Sequence, residues 1–206
     1  MPLRRIAARI VLVAACSSIA LATRAEDCEG DLLSTAAGAS STEIVVVGST
    51  AFVTTENAAL RFGGGDDLWR PRRNFSGLLT IDVEEPENPK ALGFAMTPGG
   101  ALDLAVAGNI VYIADGDAGL TLVDVSDLAR PTIVATIETR GEARGVATMA
   151  GIAYVADGDA GLTLVDVSDP LRPRILRSVD TPGAAWAIEV SDGWAYVSVL
   201  RRGSVQ

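Results

Sequence analysis

Residues 113–127 recur at 155–169, forty-two positions on, with one change, Ile113 becoming Val155. The same offset of 42 links Tyr112, Tyr154 and Tyr196, then Gly77, Gly119 and Gly161, then Pro89, Pro131 and Pro173, and also Gly99, Gly141 and Gly183. Four series in one register are not coincidence. A fixed period of this length limits the fold before any propensity is weighed, because each copy is a unit that hides its apolar surface only by stacking on the next.

Within one period the pattern alternates strand and turn. Gly145–Met149 is a strand of small residues that meets the tight pair Ala150-Gly151, whose equivalents are Gly48-Ser49, Gly108-Asn109 and Asp192-Gly193. Such pairs between apolar runs signal hairpins, since they tolerate positive φ. Ile152–Ala156 is a second strand, followed by the five-residue turn 157–161 and a third strand over 162–167. Pro170 and Pro173 then break the pairing, and the polar Arg174–Val179 forms a fourth strand at the outside. A small first strand and a polar fourth suit a β-propeller blade with its first strand at a crowded centre. Helical repeats would need a 3.6-residue period, and none is present. The expected fold is therefore all-β: blades of four antiparallel strands over 42–206, with apolar residues, 49% of the chain, sufficient for their cores.

The run Leu162-Thr163-Leu164-Val165-Asp166-Val167-Ser168-Asp169-Pro170, with Pro173 after it and Tyr154-Val155-Ala156-Asp157-Gly158 before it, resembles the LVIVD repeat. The resemblance covers roughly residues 42–199 and implies bacterial secreted or surface proteins whose repeats form β-propellers. It implies little about activity.

Two departures matter. The first copy carries about eighteen extra residues between Phe52 and Gly77, expected to form an inserted loop at about 54–76. The last copy stops where its third strand should begin, leaving about three and a half blades where closed propellers take four to eight. The expectation is a piece of a longer repeat protein, or a short form that closes by dimerising.

Residues 1–25 read as an export signal: Arg4, Arg5 and Arg9 precede an apolar run over 10–22, with small residues at Ala20, Ala22 and Ala25. That run is short for a membrane span, and none is expected once it is cleaved. Residues 13–16 also resemble a lipobox, which would make Cys16 a lipidation site. Residues 26–41 read as a flexible linker, and Cys28 has no cysteine to pair with after cleavage. The rest of the chain holds 13 basic against 26 acidic side chains, a net charge of −13 that disfavours nucleic acid and anionic lipid.

With no histidine in the chain, the usual general base, zinc ligand and imidazole-dependent triads are missing, so no catalytic residue is assigned. Two Asp-Gly-Asp turns place Asp115 with Asp117 and Asp157 with Asp159, oxygen ligands of the kind calcium takes. Asp and Gly also simply build tight turns, and that reading is preferred. No cofactor is expected beyond this possible calcium. Leu102, Arg144 and Trp186 differ while their surroundings repeat, and Trp69 and Arg70 lie in the insertion. Residues that vary on a repeated scaffold are where specificity is encoded, so Trp69, Arg70, Arg144 and Trp186 are the candidate contact residues. The expected role is an exported, non-catalytic binding or scaffold propeller, periplasmic, extracellular or on the cell surface. Its partner would be a protein or carbohydrate on the face formed by the loops between second and third strands and between successive blades, or another copy meeting open blade edges. The alternative is a calcium-dependent propeller enzyme with carboxylates at the channel mouth.

Overall fold

The computed structural model describes residues 40–58 and 75–200, and among these the regular structure is strand, joined by turns, bends and irregular segments, with no helix. The strands are β1 (Ser40–Val47), β2 (Thr50–Ala58), β3 (Phe75–Asp82), β4 (Lys90–Met96), β5 (Asp103–Ala107), β6 (Ile110–Ala114), β7 (Leu120–Asp124), β8 (Thr132–Ile137), β9 (Gly145–Met149), β10 (Ile152–Ala156), β11 (Leu162–Asp166), β12 (Arg174–Val179), β13 (Ala184–Ser191) and β14 (Trp194–Leu200). They make three four-stranded antiparallel sheets, each in chain order, and a fourth unit in which β13 pairs with β14. Every pairing joins neighbours in sequence, so the period read from the residues is the blade itself.

The hairpin pairs act as their chemistry predicts. Gly48 and Gly108 adopt φ of +63° and +61° ahead of Ser49 and Asn109, the pattern of a type II′ turn. In the other two turns both residues are left-handed, Ala150 at +51° with Gly151 at +76°, and Asp192 at +52° with Gly193 at +80°, as a type I′ turn requires. Each of the three complete sheets also carries a bulge between its third and fourth strands, after Thr80, Leu122 and Leu164. That bulge repeats at the same interval and bends the outer strand away.

The first strands β1, β5, β9 and β13 lie side by side at the centre, and the fourth strand β12 is almost wholly exposed. A Cβ at Gly145 would sit 3.0 Å from the Ala187 Cα, so a larger residue there would push β9 and β13 apart by a few tenths of an ångström. Between sheets, alternate residues of one strand serve two cores. Val111 and Ile113 of β6 pack with Phe52 and Leu78 of the first blade, whereas Tyr112 and Ala114 pack with Val146, Val155 and Val165 of the third. Each fully buried Leu or Val here contributes roughly 2 kcal/mol.

The insertion differs from expectation. Residues 54–58 and 75–76 are strand, with Ala58 paired to Phe75, so part of the extra length extends the β2–β3 hairpin. β1 likewise begins at Ser40, inside the stretch expected as linker. The export signal, Cys16, Cys28, Trp69 and Arg70 lie outside the described residues.

Candidate functional site

Because the strands alternate in direction, the turns after each second strand gather at one end with the segments that lead into each blade. This end carries every candidate residue that is described. Gly116 and Ala143 exchange both backbone hydrogen bonds, each 3.0 Å, and Gly158 and Ala185 do the same at 3.1 and 2.8 Å. The turn of one blade thus holds the beginning of the next.

The first aspartate of each turn holds the beginning of its own blade. Asp157 is fully buried: its Oδ1 accepts from the Thr139 hydroxyl at 2.6 Å, and its Oδ2 from the Gly141 N–H at 3.2 Å and the Thr163 hydroxyl at 3.0 Å. Asp115 repeats this with the Gly99 N–H at 3.1 Å and the Thr121 hydroxyl at 2.9 Å. Its Oδ1 and the Thr97 hydroxyl, counterpart of Thr139, are buried but miss hydrogen-bond geometry. Burial pushes the Asp115 carboxyl up, against the lowering influence of Thr97, Thr121 and Gly99. A Cβ at Gly141 would fall 2.1 Å from the Asp157 carbonyl oxygen, which accounts for one of the glycine series. Asp117 and Asp159 are exposed, so the two carboxylates of each turn divide between interior and surface. Among the described residues no three acidic or cysteine side chains gather as a metal would need.

Asp124 and Asp166, which end the third strands, close short turns instead. Each accepts from the hydroxyl of the serine two residues on, at 2.6 Å, and from its N–H, which holds both carboxyls below their usual range.

Arg144 and Trp186 are brought together. The guanidinium carbon lies 3.9 Å from the Trp186 ring centroid, and the same guanidinium pairs with Glu142. Trp186 remains 43% exposed, at a bulge where β13 pairing passes from Ala185 to Ala187. A stack of this kind contributes about 0.5–1 kcal/mol and presents a preformed aromatic and cationic surface. Glu142 completes the group, and a signal for it in the sequence is its place two residues before Arg144. Leu102, at the equivalent position one blade earlier, offers neither charge nor ring.

Deeper, on the first strands, Asp103 accepts from the N–H of Leu104 and, across the blade boundary, from the N–H of Val146, both at 2.8 Å. Burial raises its pKa to about 6 despite these bonds, with Glu43 adding repulsion. Glu43 is the first blade's counterpart of Asp103, as the offset relating Phe52 to Tyr112 implies, and that alignment could have found it. An acid with a raised folded-state pKa stabilises the fold below its unfolded pKa near 4, and that contribution is lost as pH rises to about 6. Stability should therefore fall by up to about 2 kcal/mol from pH 4 to pH 7 through this group, less where solvent reaches it. Urea unfolding across that range should show the fall in the natural chain, and Asp103→Asn should lack it; equal slopes would rule the assignment out.

The LVIVD repeat matches residues 98–139, 140–181 and 182–203. No curated protein matches the chain. Among solved structures, the chain is similar to the computationally designed Ika4 protein, with a TM-score of 0.58 at 10% identity over 77% of this chain and 84% of that one. It is similar to the computationally designed Ika8 protein, with a TM-score of 0.57 at 10% identity over 78% and 43%. It is also similar to a functionally unknown protein from Desulfotomaculum acetoxidans DSM 771, with a TM-score of 0.55 at 15% identity over 78% and 49%. Identities this low speak for the fold alone.

Proposed function

The chain belongs to the LVIVD-repeat family, and from that premise we propose that it is an exported, non-catalytic binding or scaffold propeller of the bacterial envelope or exterior. Its working surface is the end where the Asp-Gly turns and the beginnings of the blades meet, and its partner is a protein or carbohydrate. The observation that carries this reading is the Arg144–Trp186 stack: two residues that break the repeat, forty-two positions apart, meet on that end with the ring still exposed. An exposed aromatic with an adjoining guanidinium suits recognition, since rigid aromatic and Arg groups dominate binding hot spots.

Export rests on the charge and apolar pattern of residues 1–25. A non-catalytic role is supported by the absence of histidine and by the use of Asp115 and Asp157 as acceptors for the protein's own donors. No observation favours the calcium-dependent enzyme.

The test is retention of envelope proteins and polysaccharides on the immobilised chain. Replacing Arg144 and Trp186 together by alanine should weaken the retained partner's affinity at least about tenfold while lowering the unfolding free energy by no more than about 2 kcal/mol, so that the variant remains folded. Unchanged affinity in a folded double variant would remove this end from consideration.

A further inference from the structure

Three residues that break the repeat meet at one blade boundary. Trp186 of β13 carries the Arg144 guanidinium over its ring, 3.9 Å from the centroid, and Glu142 pairs with that guanidinium from the segment that leads into β9. The boundary before it closes without them. There Gly116 and Ala143 exchange the same two backbone hydrogen bonds as Gly158 and Ala185, while Gly100 and Leu102 stand where Glu142 and Arg144 stand one blade later. The fold does not require the group, which leaves recognition to account for it.

Granted the contact surface proposed above, we infer that what it recognises is a cation: the Trp186 ring and the Glu142 carboxylate form a receptor for an arginine side chain of a partner protein, and Arg144 occupies that receptor in the free chain. An indole face and a carboxylate are two groups that a guanidinium binds, one through the ring quadrupole and the other through paired charge. The chain displays that complex with its own side chain. Trp186 is 43% exposed and the Glu142 side chain 42%, so an incoming group reaches both, whereas the Arg144 side chain is 24% exposed. Exchange costs little: a stack at an exposed site is weak enough that the seated Arg144 reduces the affinity of a second guanidinium only about two- to fivefold.

The surroundings favour a cation over an anion. Segments 97–102, 115–119, 139–144, 157–161 and 181–186, which build this end, hold five acidic against two basic side chains, and Asp117 and Asp159 are exposed among them. With 26 acidic against 13 basic side chains after residue 25, the chain draws in a basic partner and repels an acidic polysaccharide.

The probe is the peptide acetyl-Gly-Arg-Gly-amide, titrated against the full chain and followed by the backbone amide shifts of residues 142–144 and 185–187. Its citrulline counterpart keeps the planar, hydrogen-bonding end and loses the charge. Arg144→Ala vacates the receptor, so the arginine peptide should bind this variant about two- to fivefold more tightly than the natural chain. Arg144→Gln, which keeps part of the stem, should do the same. Citrulline in the peptide, or Glu142→Gln or Trp186→Ala added to Arg144→Ala, should each weaken binding at least about threefold. The proposal is overturned if Arg144→Ala binds the arginine peptide no more tightly than the natural chain does, or if the citrulline peptide binds equally well. It is equally overturned if a neutral or acidic oligosaccharide shifts the same amides and the peptide does not. Failure of the contact surface reads differently: a retained envelope partner would then be indifferent to the Arg144 and Trp186 double variant, whatever the peptide does. A partner whose affinity falls in the Arg144→Ala single variant would leave the surface standing and remove the cation receptor.

Discussion

Asp157→Ala should lower stability by about 3 kcal/mol, read as a reduced urea midpoint at constant slope. The side chain is fully buried and accepts three hydrogen bonds, and its removal leaves the part-buried Gly141 N–H and Thr139 hydroxyl without that acceptor. The Thr163 hydroxyl keeps a second neighbour in Ser178 at 3.2 Å, which holds the loss below that of three orphaned groups. Asp157→Asn retains one acceptor oxygen and should lose about half as much. Asp117→Ala, on an exposed carboxylate of the equivalent turn one blade earlier, should stay within about 0.5 kcal/mol. Equal effects at 117 and 157 would show that the buried clasp does not hold the blade.

Gly161→Ala should be comparably damaging, at about 3 kcal/mol or more. Gly161 has φ of +82°, and a Cβ there would lie 2.4 Å from the Val179 carbonyl oxygen and 3.0 Å from the Thr181 N, both main-chain atoms of the outer strand's exit. Neither can move without opening the β11–β12 pairing. Gly193 has nearly the same backbone, φ +80°, with nothing within 4 Å of its Cβ position. Gly193→Ala therefore measures the conformational cost alone, about 1 kcal/mol, and the excess at 161 measures the collision. Equal losses at both positions would mean that the close approach contributes nothing.

These two residues illustrate how far the residues alone could be read. The interval of 42 located Gly161, and the Asp-Gly-Asp turn was recognised, but nothing in the turn distinguished Asp157 from Asp159. The distinction depends on Thr139, Gly141 and Thr163, which reach the carboxylate only when the blade's lead-in and third strand have folded beside it. Arg144 and Trp186 each break the repeat; that one stacks on the other follows from β9 and β13 lying side by side, with Gly158 bonded to Ala185 across the blade boundary.

What the sequence by itself determined was the set of properties that repeat locally: strand lengths, hairpin turns, the small inner and polar outer strand, and the order of pairing. Each is set by hydrogen bonding and side-chain alternation between segments a few residues apart, so every copy carries the instruction. Tertiary structure alone decided what each side of a strand meets. Tyr112 and Tyr196 occupy the same place in the repeat, yet one is buried and the other exposed. The difference is whether another sheet lies against that face, because burial is a property of neighbours and no residue encodes it alone.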